Sequence, residues 1–218
     1  MDMAAAMGAA GIVPVIAIDD ISKAAPLACA LVAGGLPVLE VTFRTACAAD
    51  AIRAMKEAVP NATLVAGTVL SAAQLKAAKE AGAEGCVAPG FDPAVVAAAK
   101  DAGMPFCPGV ATASELSQAL AAGCRFVKFF PAESAGGVKY VKDLLGAFRW
   151  TGVRFMPTGG VKPSNVRDWL AVPEVACCGG TWVAPKDAVA AGDWGRIEAL
   201  AREAAQIVRE CRPGAPRA

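Results

Sequence analysis

From residue 12 onward, short apolar runs alternate with longer Ala-rich stretches. The runs at 12–18 (IVPVIAI), 37–42 (PVLEVT), 63–67 (TLVAG), 85–88 (GCVA), 105–108 (PFCP), 125–130 (RFVKFF), 153–157 (VRFMP) and 174–179 (EVACCG) have strand length and strand composition. Between them, helical segments are predicted to start near Ser22, Ala46, Ser71, Pro93, Thr112, Gly137, Pro163 and Asp187, several opened by Ser, Thr, Asp or Pro. Many close on a glycine, such as Gly35, Gly82, Gly103, Gly123 or Gly146. Eight strand–helix units in unbroken alternation predict an α/β protein with a closed parallel barrel, the (β/α)8 or TIM-barrel fold. The rival is an open doubly wound sheet. Against it, no G-x-G-x-x-G follows the first strand, and glycines stand instead at the ends of many strands, as in Ala66-Gly67-Thr68, Cys107-Pro108-Gly109 and Cys178-Gly179-Gly180-Thr181. Small residues at one rim suit a site assembled from several βα loops. No linker or charge run divides the chain, which predicts one domain over 1–218 with loose ends at about 1–9 and 212–218.

Alternation puts Phe126, Lys128 and Phe130 on one face of the sixth strand and Arg125, Val127 and Phe129 on the other. An amine held between two aromatic rings is in an expensive place for a cation. Burial disfavours the charged form, and an uncharged amine is a nucleophile able to form a Schiff base with a carbonyl. The alternative is a lysine whose stem packs on the rings while its head reaches water. On the second strand Val38, Glu40 and Thr42 share a face, and a carboxylate there is as unusual as Lys128. In a barrel both side chains point inward near one rim, where Glu40 could move a proton at a substrate held by Lys128. A purely structural buried salt bridge would use the same two residues. Arg44, at the end of that strand, could fork to a substrate carboxylate or simply be solvated. Thr158-Gly159-Gly160 after the seventh strand and Gly179-Gly180-Thr181 after the eighth expose backbone N–H groups beside helix N-termini, where many barrels bind phosphate. Two tight turns are the alternative there.

Composition narrows the chemistry. The chain of 218 residues is 56% hydrophobic, so membrane insertion has to be tested. Its longest early uncharged run, Met3 to Ile18, is mostly Ala and Gly, is broken by Gly8, Gly11 and Pro14, and lacks a basic leader. The expectation is a soluble, cytoplasmic protein with no membrane partner. With 21 basic and 20 acidic residues and no cationic block, no nucleic-acid partner is expected either. The eight cysteines are scattered without a C-x-x-C, which indicates neither a zinc site nor a disulfide framework. Histidine is absent, which excludes His-dependent triads and H-E-x-x-H metal sites. Proton transfer is left to Glu, Asp, Lys, Cys, the single Tyr140 and water.

Several motifs together resemble one family. Leu39-Glu40-Val41-Thr42-Phe43-Arg44-Thr45, Ala66-Gly67-Thr68-Val69-Leu70, Ala88-Pro89-Gly90, Pro108-Gly109-Val110, Val127-Lys128-Phe129-Phe130-Pro131-Ala132-Glu133 and Pro157-Thr158-Gly159-Gly160-Val161 are similar to the signatures of the 2-keto-3-deoxy-6-phosphogluconate (KDPG) aldolases, which also act on 4-hydroxy-2-oxoglutarate (KHG). The resemblance runs in register from about Gly11 to Val208. It implies a class I aldolase, a lyase that cleaves its keto-acid substrate to pyruvate and glyceraldehyde 3-phosphate, or to pyruvate and glyoxylate from KHG. On that resemblance Lys128 is the Schiff-base lysine and Glu40 the general acid/base. Arg44 and Thr68 hold the pyruvate-end carboxylate, Pro89 and Phe130 line the pocket, and Thr158 is placed to contact a substrate hydroxyl. Gly159, Gly160, Gly180 and Thr181 receive the phosphate. No metal or other cofactor is implied, because the iminium ion is itself the electron sink. The family is typically trimeric, so a homotrimer is expected. Two departures stand out: Thr181 is usually serine, and Ala17-Ile18 replaces an arginine found in some relatives. A phosphate-binding barrel isomerase or epimerase, or a non-catalytic scaffold, would share the fold without needing Lys128.

Overall fold

The computed structural model describes residues 3–213. In chain order the strands are β1 (Ile12–Ile16), β2 (Val38–Thr42), β3 (Thr63–Gly67), β4 (Gly85–Val87), β5 (Phe106–Cys107), β6 (Gly109–Val110), β7 (Phe126–Phe129), β8 (Arg154–Pro157) and β9 (Cys178–Gly180). The helices are α1 (Met3–Ala10), α2 (Ala24–Ala33), α3 (Ala48–Ala58), α4 (Ala72–Glu80), α5 (Pro93–Asp101), α6 (Ala113–Ala121), α7 (Gly137–Phe148), α8 (Val166–Leu170), α9 (Lys186–Ala191) and α10 (Trp194–Cys211). Local chemistry sets many of these boundaries. Ser71 caps α4, Asp92 caps α5 with Pro93 in its first turn, and Thr112 and Glu115 close a capping box at α6.

All strand pairs are parallel, giving a curled six-stranded sheet in the order β5-β4-β3-β2-β1-β9 and a three-stranded sheet in the order β6-β7-β8. The expected unbroken eight-strand ladder is therefore divided. One reason is chemical: Pro108, the last residue of the fifth expected strand, has no N–H to give to a ladder and stands between β5 and β6. At the other junction β8 and β9 meet only through isolated bridges, Phe155 to Val175 and Thr158 to Gly179.

Two buried layers follow from the alternation of side chains along the strands. The concave face carries Val13, Val38, Val65, Val87, Phe126 and Met156, among others. The convex face packs under the helices, with Leu27 and Leu31 of α2, Ile52 of α3 and Trp169 of α8 in one continuous cluster. The expectation of a loose end over about 1–9 does not hold for residues 3–9. They form α1, whose Met3 and Met7 are buried against the concave cluster, and Met3 fills the space a side chain at Gly85 would occupy. Spacing of four residues puts both methionines on one helix face, although Gly8 and Gly11 read as breakers in the sequence. At the other end Arg212 is held by donating to the carbonyls of Val175 and Ala176, both at 2.6 Å, so it is not loose; residues 214–218 of the expected tail, and 1–2 at the start, lie outside the described residues. The helix expected from Asp187 is two helices, α9 and α10, separated at Gly192 with φ +68. Among the described residues no helix is long and apolar enough to cross a membrane.

Candidate active site

Lys128 of β7 and Glu40 of β2 come from strands 88 residues apart in sequence, and the structure brings them together on the concave face. Lys128 Nζ donates to Glu40 Oε1 at 2.9 Å, with Lys128 2% and Glu40 0% exposed. The snorkelling alternative is thereby removed, because the amine does not reach solvent. Nζ lies 5.7 Å from the centroid of the Phe130 ring. The expected second ring, Phe126, belongs instead to the apolar cluster over α1. Lys128 is fixed from behind by its own N–H donating to the carbonyl of Pro108 at 2.8 Å.

The site is incompletely satisfied. Among the described residues, Glu40 Oε2 and Thr158 Oγ1 are both buried without a hydrogen-bond partner. Leaving a buried polar atom unpaired costs about 1–3 kcal/mol, so two on one concave face call for a reason. A substrate bearing hydroxyls is such a reason. Cys107 and Cys177 lie nearby, but burial pushes the Cys107 thiol well above its ordinary range and Cys177 up to about 12. They are packing groups, not competing nucleophiles.

At the rim, Thr68 follows β3 in the left-handed region at φ +58, among the described residues the only non-glycine to do so. For a β-branched residue this conformation costs about 1–3 kcal/mol, and such strain gathers at functional sites. Pro89 and Phe130 are half-buried. Gly109 approaches Pro89 so closely that a Cβ there would lie 2.1 Å from the Pro89 carbonyl carbon. Arg44 is exposed, just beyond β2, and no ion pair holds it among the described residues. It lines a cavity of about 680 Å³ together with Thr42, Lys23, Thr181 and Trp182. That cavity borders β1, β2 and β9 and does not include Lys128 or Glu40, so Arg44 lies beside the buried pair rather than on it.

The turn after β8 places Gly159 and Gly160 at φ +99 and +79. It is strapped to the segment after β7: Ala132 and Glu133 donate their N–H groups to the carbonyls of Thr158 and Gly159, at 2.8 and 3.0 Å. The Glu133 side chain runs beneath Gly160 and accepts from Trp169 Nε1 at 2.7 Å. Gly180 is buried with the Trp182 ring against it, while Thr181 is exposed. The expectation that these glycine runs adjoin helix N-termini does not hold. α8 begins at Val166 and α9 at Lys186, several residues downstream, so an anion here would meet turn backbone rather than a helix N-terminus.

Three participants have no role assigned from the sequence, although Gly67 and Glu133 stand in quoted motifs. Glu133 and Trp169 make a contact between distant elements that no local pattern reveals. Gly67, the last residue of β3, does carry a signal, since a glycine in a strand often marks a close approach.

Comparison with known proteins shows what the chain resembles. The family model "KDPG and KHG aldolase" matches residues 3–200. The KHG/KDPG aldolase of Escherichia coli (strain K12) is 49% identical over 195 residues, covering 89% of this chain and 91% of that protein. The 2-dehydro-3-deoxy-phosphogluconate aldolase of Dickeya dadantii (strain 3937) is 47% identical over 193 residues, covering 88% and 90%. Among solved structures, the 2-keto-3-deoxy-6-phosphogluconate aldolase of Zymomonas mobilis ZM4 with 3-phosphoglycerate superposes with a TM-score of 0.88 at 45% identity, covering 94% and 96%. The KDPG aldolase of Legionella pneumophila, with pyruvate captured as a covalent carbinolamine, gives 0.89 at 38% identity, covering 92% and 97%.

Proposed function

Because the chain belongs to the KDPG and KHG aldolase family, we propose that it cleaves 2-dehydro-3-deoxy-6-phosphogluconate to pyruvate and glyceraldehyde 3-phosphate through a Schiff base on Lys128. The observation that carries this reading is the buried contact between Lys128 Nζ and Glu40 Oε1 at 2.9 Å. Cleavage of 4-hydroxy-2-oxoglutarate to pyruvate and glyoxylate is the second activity, supported by the double name of the Escherichia coli relative.

In its uncharged form Lys128 attacks the C2 ketone to give a carbinolamine, the species captured in the Legionella pneumophila relative. Loss of water leaves an iminium ion that draws electrons from the C3–C4 bond, so the chemistry needs no metal. Glu40, directly or through a water, removes the C4 hydroxyl proton. The bond breaks and the aldehyde leaves. The resulting enamine takes a proton at C3, and hydrolysis of the iminium releases pyruvate and restores the amine. The unpaired Oε2 gives Glu40 an oxygen free for substrate while Oε1 contacts the lysine.

Thr68 and Arg44 hold the pyruvate-end carboxylate in this reading. Arg44 reaches it by a rotamer change that its exposure and lack of ion pairing permit. Thr158, with an unpaired buried hydroxyl, meets a substrate hydroxyl. Pro89 and Phe130 wall the pocket, and Gly159, Gly160, Gly180 and Thr181 take the phosphate. The fold on which this rests is one (β/α)8 barrel domain. Its closure is supported by the continuity of β5 and β6 across Pro108 and by the bridges between β8 and β9. We also retain a cytoplasmic homotrimer. A structural relative at 27% identity with a TM-score of 0.81 is a designed cage made "by fusing symmetric oligomeric domains".

The test is pyruvate release from the phosphorylated and unphosphorylated substrates, followed by a coupled dehydrogenase. Release from the phosphorylated substrate is expected. Isomerisation of a sugar phosphate without pyruvate release would replace this reading with the isomerase alternative.

A further inference from the structure

We propose that Gly67 is a positioning residue, whose missing side chain is the seat of the Glu40 carboxylate. The proposal rests on the reading of Glu40 as the acid/base. β2 and β3 pair with Glu40 opposite Val65 and Thr42 opposite Gly67, so Gly67 lies one pleat further along the neighbouring strand on the same face as Glu40. The Glu40 side chain crosses onto it. A Cβ at position 67 would lie 2.2 Å from Glu40 Oε1, 2.7 Å from Cγ and 2.8 Å from Cδ. Real Cβ atoms do not make contacts that short, so an alanine there must displace the carboxylate.

Nothing in the backbone demands glycine at this position. Gly67 is absent from the positive-φ residues, and it is the last paired residue of β3, in a regular ladder where any L-residue is accommodated. What excludes a side chain is the carboxylate. The oxygen nearest the absent methyl is the same Oε1 that accepts from Lys128 Nζ. Glu40 has little room to retreat, being 0% exposed in a packed interior, so displacement takes Oε1 away from the amine. Position 67 therefore sets the contact on which proton transfer depends, without touching substrate.

The test is a double-mutant cycle of Gly67→Ala and Glu40→Ala, read by melting temperature, by covalent capture of pyruvate under borohydride, and by turnover. Gly67→Ala alone is expected to lower the melting temperature and to cut kcat at least 100-fold, while pyruvate capture on Lys128 stays within about tenfold of wild type, since general acid–base groups contribute about 10²–10⁴. In the Glu40→Ala background the added methyl occupies vacated space, so Gly67→Ala should cost nothing further in either melting temperature or turnover. A Gly67→Ala protein that does not fold, beside a folded double variant, supports the proposal equally. An equal loss of stability in both backgrounds, or unchanged turnover in Gly67→Ala, overturns it. If Glu40→Ala alone turns over like wild type, the acid/base reading fails instead, and the melting-temperature cycle still reports the packing.

Discussion

Glu40→Gln separates the chemical role of the carboxylate from its structural one. The substitution keeps the shape that fits over Gly67 and keeps an oxygen to accept from Lys128 Nζ at the observed 2.9 Å. What it removes is charge and basicity. The gross attraction of the pair at this distance is about 6 kcal/mol at an effective dielectric of about 20. Most of that is offset by the cost of taking two charges out of water, and neutralising a buried ion pair is often close to neutral in stability. Because the hydrogen bond survives, the net change should be within about 2 kcal/mol, since single hydrogen bonds are worth about 0.5–1.5 kcal/mol. Catalysis is another matter. General acid–base groups contribute about 10²–10⁴ in rate, equivalent to about 3–5 kcal/mol of barrier. The expected outcome is a small shift in melting temperature with kcat lowered at least 100-fold, and with slow capture of pyruvate retained because the nucleophile is intact. Steady-state cleavage, single-turnover chemistry and thermal melts on the same preparation check this. A variant that melts like wild type and turns over at more than half its rate would refute a proton-transfer role for Glu40.

Two other outcomes follow from the packing. Trp169→Phe removes the donor that holds the Glu133 side chain beneath Gly160, so KM for the phosphorylated substrate should rise several-fold while KM for 4-hydroxy-2-oxoglutarate stays unchanged; parallel kinetics on both substrates check it. Met7→Ala opens a hole under the fully buried face of α1 and should destabilise the protein by about 2–5 kcal/mol, with kcat per folded molecule preserved because α1 packs against the Phe126 cluster and not the Lys128–Glu40 contact; denaturant unfolding measures it.

Much of this arrangement is legible in the sequence because it is costly. A lysine and a glutamate inside apolar strands are unusual enough to be noticed one at a time, and their shared face follows from a period of two. Strand positions are legible for a similar reason, since most strand residues are buried on both faces and the apolar runs are nearly continuous. The misses have physical causes as well. α1 has Ala on nearly all sides, so its pattern carries little periodic signal, and only the inner cluster gives Met3 and Met7 something to cover. Pro108 ends β5 and separates it from β6, a short strand with no pattern of its own, because a ladder needs an N–H that proline lacks, whereas Pro14 is accommodated within β1. The direction of Arg44, the strap from Glu133 to Trp169 and the seat at Gly67 are contacts between elements far apart in sequence. No local rule encodes them.

The most direct measurement is borohydride reduction in the presence of pyruvate, read by intact mass and peptide mapping, on the wild-type protein and on Lys128→Met. The account predicts one reduced adduct per chain, carried by the peptide containing Lys128, and neither adduct nor turnover in the variant. An adduct on a different lysine, or a Lys128→Met protein that still cleaves substrate near the wild-type rate, would contradict it.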